Sequence, residues 1–287
     1  MPGYNEARDE KAGFSFVQPN RLFMKRIFLL SIIALCFSVS YSQERPFART
    51  FAANIIHPGT RTIELLHTSR FGHSGESYHA MDQYLEFEIG LNHRLQAAFG
   101  LSRYQVNSDH LENSEHQYSE NGFNTEWKWR LNDPEKKTGF ALFGDAGLKG
   151  SDLGLEARFI ADHNYGKHLF AFNLGYEWEK SILHEEETPE EQIRAPLELD
   201  LAYMYHLNHC LGAGIELINC NDLADKKWNN SILFAGPTIN YSIHKWFIVA
   251  NYLPQLVNLH KTSNSPGKKV LKDHERAEAR IIIGLSF

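Results

Sequence analysis

Residues 278–287 read EARIIIGLSF, and the alternation runs to the final residue. Ile281, Ile283, Leu285 and Phe287 fall on one face of an extended strand, and Glu278, Arg280 and Ser286 fall on the other. The same period governs the chain upstream. Residues 84–92 (YLEFEIGLN) set Leu85, Phe87, Ile89 and Leu91 against Glu86, Glu88 and Gly90. Residues 94–104 (RLQAAFGLSRY) follow after a break of only Asn92-His93-Arg94. So short a break between two alternating runs makes a hairpin.

Counting outward, similar runs occupy 60–69, 123–131, 139–148, 154–162, 168–179, 196–206, 210–217, 231–241, 245–253 and about 275–287. The total is about twelve strands. Tight turns are expected at 92–94, 132–138, 163–167, 207–209 and 242–244, and mostly longer, polar connections near 70–77, 105–122, 149–153, 180–195, 218–230 and 254–274. An even number of strands, with short turns at one end and long loops at the other, predicts an all-β, antiparallel up-and-down barrel that crosses a membrane. The short turns would face the periplasm.

Composition narrows the class. At 43% hydrophobic and 22% charged, the chain is too polar for a bundle of membrane helices. A net charge of −6 argues against nucleic-acid binding. Aromatic residues extend the membrane reading. Trp129, Tyr203, Tyr205, Tyr241, Trp246 and Phe287 fall at the short-turn ends of the apolar faces, and Tyr176, Trp178 and Tyr252 at the loop ends. Two belts at opposite strand ends are what lipid boundaries select.

The N-terminus reads as an address. Met24-Lys25-Arg26 precedes the apolar run 27–39 (IFLLSIIALCFSV), and Ser40 and Ser42 stand at −3 and −1 of a cleavage site before Gln43. The expected organisation is an upstream extension over 1–23, a signal peptide over 24–42, a polar lead-in over 43–58 and the barrel over 59–287. The expected location is the outer membrane.

The polar faces would line the lumen. They carry Glu64, Glu86, Glu88, Glu126, Lys128, Arg130, Asp145, Glu156, Arg158, Glu177, Glu198, Asp200, Glu216, Glu278 and Arg280. Carboxylates dominate this set, which predicts a water-filled pore preferring cations. The competing reading is that these charges pair across a narrow interior and plug it, as the mixed signs of Glu126-Lys128-Arg130 and Glu156-Arg158 suggest. Both readings stand at this point.

Other chemistry is thinly supported. His110, Glu112, Glu115 and His116 share one loop and His206/His209 one turn, but neither group has a metal-ligand spacing on a supporting element. The acidic run 184–191 (HEEETPEE) reads as a solvated loop. Cys210 and Cys220 lie about 30 Å apart along one extended strand and cannot pair with each other. His73-Ser74-Gly75 invites comparison with outer-membrane phospholipases, but no matching Asn can be assigned. No cofactor, no metal and no enzymatic activity are expected, with a lipid hydrolase as the third-ranked function.

A terminal strand closing on an aromatic residue resembles the C-terminal strand by which bacterial outer-membrane barrels are recognised by the barrel-assembly machinery. On that resemblance Ile281, Ile283, Leu285 and Phe287 form the assembly signal. Residues 84–104, with Glu126-Trp127-Lys128-Trp129-Arg130-Leu131, Asp133-Pro134 and Gly139-Phe140-Ala141-Leu142, resemble the strand and turn pattern of small Gram-negative, Bacteroidota-like outer-membrane barrels. Some of these are called transporters. The resemblance implies a lipid bilayer as partner and passive passage of small solutes. A structural or surface-interaction barrel with a plugged lumen is the alternative.

Overall fold

A computed structural model of the chain describes residues 45–73, 77–108, 117–181, 196–224, 227–262, 266–271 and 274–287. The expected extension, the signal peptide, the loop histidines His110 and His116, the acidic run 184–191 and Ser74-Gly75 lie outside the described residues. The strands are β1 (Arg61–Phe71), β2 (Tyr78–Asn92), β3 (Leu95–Ser108), β4 (Gln117–Arg130), β5 (Thr138–Lys149) and β6 (Asp152–Tyr165). They continue with β7 (His168–Ser181), β8 (Leu197–His206), β9 (Leu211–Ala224), β10 (Lys227–Ile243), β11 (Trp246–Asn258) and β12 (Ala277–Ser286). Each pairs antiparallel with its chain neighbours, and β12 returns to pair with β1.

The seam between first and last strands is fully registered. Thr62 faces Ser286, Leu66 faces Ile282 and Arg70 faces Glu278. Arg61 and Phe287 then exchange backbone hydrogen bonds of 3.0 and 2.8 Å. Closure leaves no strand with unpaired backbone groups along its length, which an apolar solvent would penalise heavily. At the end carrying the termini of the barrel, β2–β3, β6–β7 and β10–β11 are joined by the pairs His93-Arg94, Gly166-Lys167 and His244-Lys245. Gly166 (φ 59°) and His244 (φ 55°) adopt the left-handed backbone that suits two-residue hairpins between twisted strands.

Two connections differ from the sequence expectation. The stretches 149–153 and 218–230 were expected among the longer, polar links. Instead β5 passes to β6 through Gly150-Ser151 alone, and only residues 225–226 separate β9 from β10. The reason is that β9 and β10 continue past the end of their apolar alternation. Asn219, Asn221 and Asp222 still pair with Leu233, Ser231 and Asn230. Ladder hydrogen bonds need no apolar side chain, so hydropathy ends before the strand does.

The sidedness of the wall cannot be read from alternation, and the structure supplies it. Leu101 and Phe123 are 62% and 57% exposed on the outer surface, whereas Glu64, Asp200 and Glu216 are at most 1% exposed inside. A barrel in water would invert this arrangement. Trp129, Tyr205, Trp246 and Phe287 project outward near the turn end, and Tyr176 and Tyr252 toward the loop end. An apolar band between aromatic rims is the surface a bilayer covers.

Candidate functional site: the lumen and its N-terminal segment

The residues before β1, expected as a polar lead-in, enter the barrel. Residues 45–56 run through the lumen at its turn end, burying Phe47, Ala48, Thr50, Ala52, Ala53 and Ile56. Side chains of the wall, not strand pairing, hold this segment. The N–H groups of Ala48, Arg49 and Thr50 all donate to the carboxylate of Glu216, at 3.2, 2.9 and 2.7 Å, and Asn251 adds a fourth bond at 2.9 Å. Successive amides converging on one anion form a nest that offsets the cost of burying it.

The anchoring continues along the chain. Asn173 accepts from the Phe51 N–H at 2.7 Å and donates to its carbonyl at 2.8 Å, a side-chain imitation of a strand pair. Asp162 accepts from Ala53, Gln96 accepts from Ile56, and Asn240 donates to the carbonyl of Arg45. Close approach requires missing side chains on the wall. A Cβ on Gly90 would lie 2.3 Å from the His57 carbonyl oxygen, and one on Gly139 would lie 2.8 Å from the Ala53 Cβ.

The segment also brings charge. Arg45 pairs with Glu64 at 2.9 Å, and Arg49 bridges Glu198 at 2.5 Å and Glu278 at 3.4 Å. On the wall, Arg158 bonds Glu156, Asp200 and Glu198 at 2.7, 2.6 and 3.0 Å, tying β6 to β8 across β7. Arg70 engages Asp82 and Glu278, and Arg280 lies 3.7 Å from Glu278. Phe51 packs against Phe143, with ring centroids 4.9 Å apart, while the guanidinium carbons of Arg45 and Arg158 lie 5.1 and 5.3 Å from its ring. These cation–ring contacts add to the ion pairs in fixing Phe51 at the centre of the lumen.

Above this layer a cavity of about 760 Å³ extends along the upper strand segments. Its lining includes ten carboxylates and six cationic side chains, so the space is net acidic. Beside the segment the gaps shrink to about 20 and 10 Å³, room for about one water each. The barrel therefore has a wide upper compartment and a filled lower one.

Of the sequence candidates, Glu86, Glu126, Asp145, Glu156, Arg158, Glu177, Glu198 and Arg280 line the cavity. Glu156, Arg158, Glu198, Asp200, Glu216, Glu278 and Arg280 join the networks above. Glu64, Glu86, Glu88, Lys128 and Arg130 are buried in the lower and middle lumen, and Glu126 and Asp145 accept from Asn124. The uncharged anchors Gln96, Asn173, Asn240 and Asn251 carry no charge to mark them as lumen residues, and nothing in the sequence around Asp162 shows that it receives the Ala53 amide. The segment itself carried a readable signal. Residues 46–56 (PFARTFAANII) are apolar and small, unlike a solvated leader. Cys210 and Cys220 are not joined in a disulfide. His73 stacks on Tyr78 at 3.5 Å between ring centroids.

Residues 39–287 match the Family of unknown function (DUF6662). The chain belongs to that family. No curated protein sequence matches it. Among solved structures, the COG4313 outer membrane channel from Pseudomonas putida F1 is similar, with a TM-score of 0.59 at 12% identity over 82% of this chain and 98% of that one. The β domain of the Bordetella autotransporter BrkA gives 0.56 at 7% identity, covering 80% and 100%. The NanC porin gives 0.52 at 12% identity, covering 78% and 98%. At these identities the likeness is one of fold, and the fold it identifies is that of outer-membrane barrels.

Proposed function

We propose that this family member is an outer-membrane channel for small polar solutes, held closed by its own N-terminal segment and cation-preferring when open. The observation that carries the reading is how the segment is held. Residues 45–56 occupy the lumen through side-chain hydrogen bonds and ion pairs, while barrel closure rests on the separate seam between β1 and β12. Removing the segment leaves every strand pair of the wall in place. It also removes Arg45 and Arg49, so Glu64, Glu198, Glu216 and Glu278 lose cationic or amide partners and the open lumen becomes more acidic. Charged walls of one sign select the opposite ion.

In this reading the turn end faces the periplasm, the chain is exported by cleavage after Ser42, and solutes reach the 760 Å³ compartment from outside. The ordered contacts of the segment favour a second reading, a permanently plugged barrel that works through its outer surface. Planar-bilayer recording separates the two. The full mature chain should be mostly closed, and a variant lacking residues 45–56 should show sustained, cation-selective openings. A deletion variant that folds as a barrel yet never conducts would refute the channel.

A further inference from the structure

The acidic compartment has an uneven distribution of charge. Glu126, Asp145, Glu156 and Glu177 are direct cross-strand partners on four successive strands: Glu126 faces Asp145, Asp145 faces Glu156, and Glu156 faces Glu177. All four line the cavity. Residues directly opposite across a strand pair have Cβ atoms about 5 Å apart, and like charges at that separation are destabilising. Four carboxylates in one line thus form a feature that a folded wall tolerates only with compensation.

That compensation is incomplete. Asn124 donates to Glu126 and Asp145 at 3.1 and 2.5 Å, and Arg158 binds Glu156. The same Arg158 is shared with Glu198 and Asp200, and Arg45 is engaged by Glu64. A second, independent sign comes from the hydrogen-bond inventory of the wall. Glu86 is 3% exposed and lines this cavity, yet its Oε1 has no hydrogen-bond donor, and neither has Oδ1 of Asn124. Gly100 stands between Glu86 and Asn124 in register, and the Asn124 side chain, which donates to Glu126 and Asp145, fills the space over it. Buried acceptors without donors beside an acidic row call for a ligand that brings donors and positive charge.

We propose that this wall binds a linear polyamine, its ammonium groups set against successive carboxylates of the row and one donor directed to Glu86. The shape of the site distinguishes this class from a metal ion. Among the described residues no three acidic, histidine or cysteine side chains converge as metal ligands do. The carboxylates are strung one per strand, at the spacing of about 4.8 Å between neighbouring strands. A three- or four-carbon spacer sets ammonium groups at a comparable interval. Tyr84, Tyr104 and Phe143 line the same space and offer surfaces for methylenes and for cation–ring contact. The proposal deepens the channel reading by naming a solute class, but binding needs access only from the loop end and no passage.

Isothermal titration of the detergent-solubilised mature protein with spermidine tests it, with the segment in place. Saturable binding is expected, weakened about tenfold by each of Glu126→Gln, Asp145→Asn and Glu177→Gln, the loss typical of a charge pair in a partly screened site. Asp152→Asn removes a cavity carboxylate away from the row and should change affinity less than twofold. Heat-modifiable gel migration reports that each variant still folds as a barrel. Absence of spermidine binding to folded wild type overturns the site. So does an equal loss in Asp152→Asn, which would mark mere bulk charge. Magnesium binding as tight as spermidine at the same concentration also overturns it. Because the titration uses the closed protein, a failed conductance experiment leaves it unaffected, and the converse holds.

Discussion

Glu216→Gln is the sharpest single perturbation of the seated segment. The fully buried carboxylate of Glu216 accepts three segment amides and the Asn251 side-chain amide, with Ala48 and Asn251 on Oε1 and Arg49 and Thr50 on Oε2. Glutamine has nearly the same shape but replaces one oxygen with a donor. In either orientation the new NH₂ confronts two donors, so two charge-assisted hydrogen bonds are lost and two buried N–H groups go unpaired. Each such bond contributes about 1.5–3 kcal/mol, and the carbonyl that remains accepts less strongly than a carboxylate. Allowing for relaxation, the segment should be destabilised by about 2–4 kcal/mol, which shifts its release equilibrium about 30- to 700-fold. The wall should hardly notice, because the backbone pairing of Glu216 with Ala202 and Gly236 does not involve the side chain. Amide hydrogen exchange is the direct assay. Protection of the amides of Ala48, Arg49 and Thr50 should fall by that factor in Glu216→Gln while strand amides keep theirs. Unchanged protection at those three amides in a folded variant would refute the account of how the segment is seated.

Three further outcomes are expected. Gly90→Ala places a Cβ against the carbonyls of Ile56 and His57, so it should weaken segment seating by about 1–3 kcal/mol, measured by faster exchange at Ile56. Leu101→Arg puts a charge in the outward apolar band and should destabilise the barrel in lipid by about 2–4 kcal/mol, measured by urea unfolding in vesicles; an unchanged midpoint would remove that band from the bilayer. Deleting Phe287 removes two backbone bonds to Arg61 and the terminal aromatic residue, so outer-membrane levels in cells should fall before any activity changes.

The twelve strands were legible because a period of two is a local property that survives in any barrel. The alternations around Glu86, Trp127 and Ile283 needed no partner to be seen. The short links at 150–151 and 225–226 were obscured because polar residues such as Asn219 and Asp222 remain strand once ladder bonds are made. The lumen-filling segment escaped for a different reason. Residues 45–56 follow no period, since their amides answer in turn to different side chains of the wall: Glu216 for three of them, then Asn173, Asp162 and Gln96. The acidic row was equally hidden. Glu126, Asp145, Glu156 and Glu177 are far apart in sequence, and only the register makes them neighbours.

The seam of β1 and β12 has a consequence for the segment. The segment leads directly into β1, yet part of its grip lies on the last strand, where Glu278 meets Arg49 and Arg280 reaches the carbonyl of Ala48. Those contacts join the segment to the same strand that closes the wall against β1. Displacing the last strand therefore costs the barrel part of the hold on its lumen segment as well as its seam.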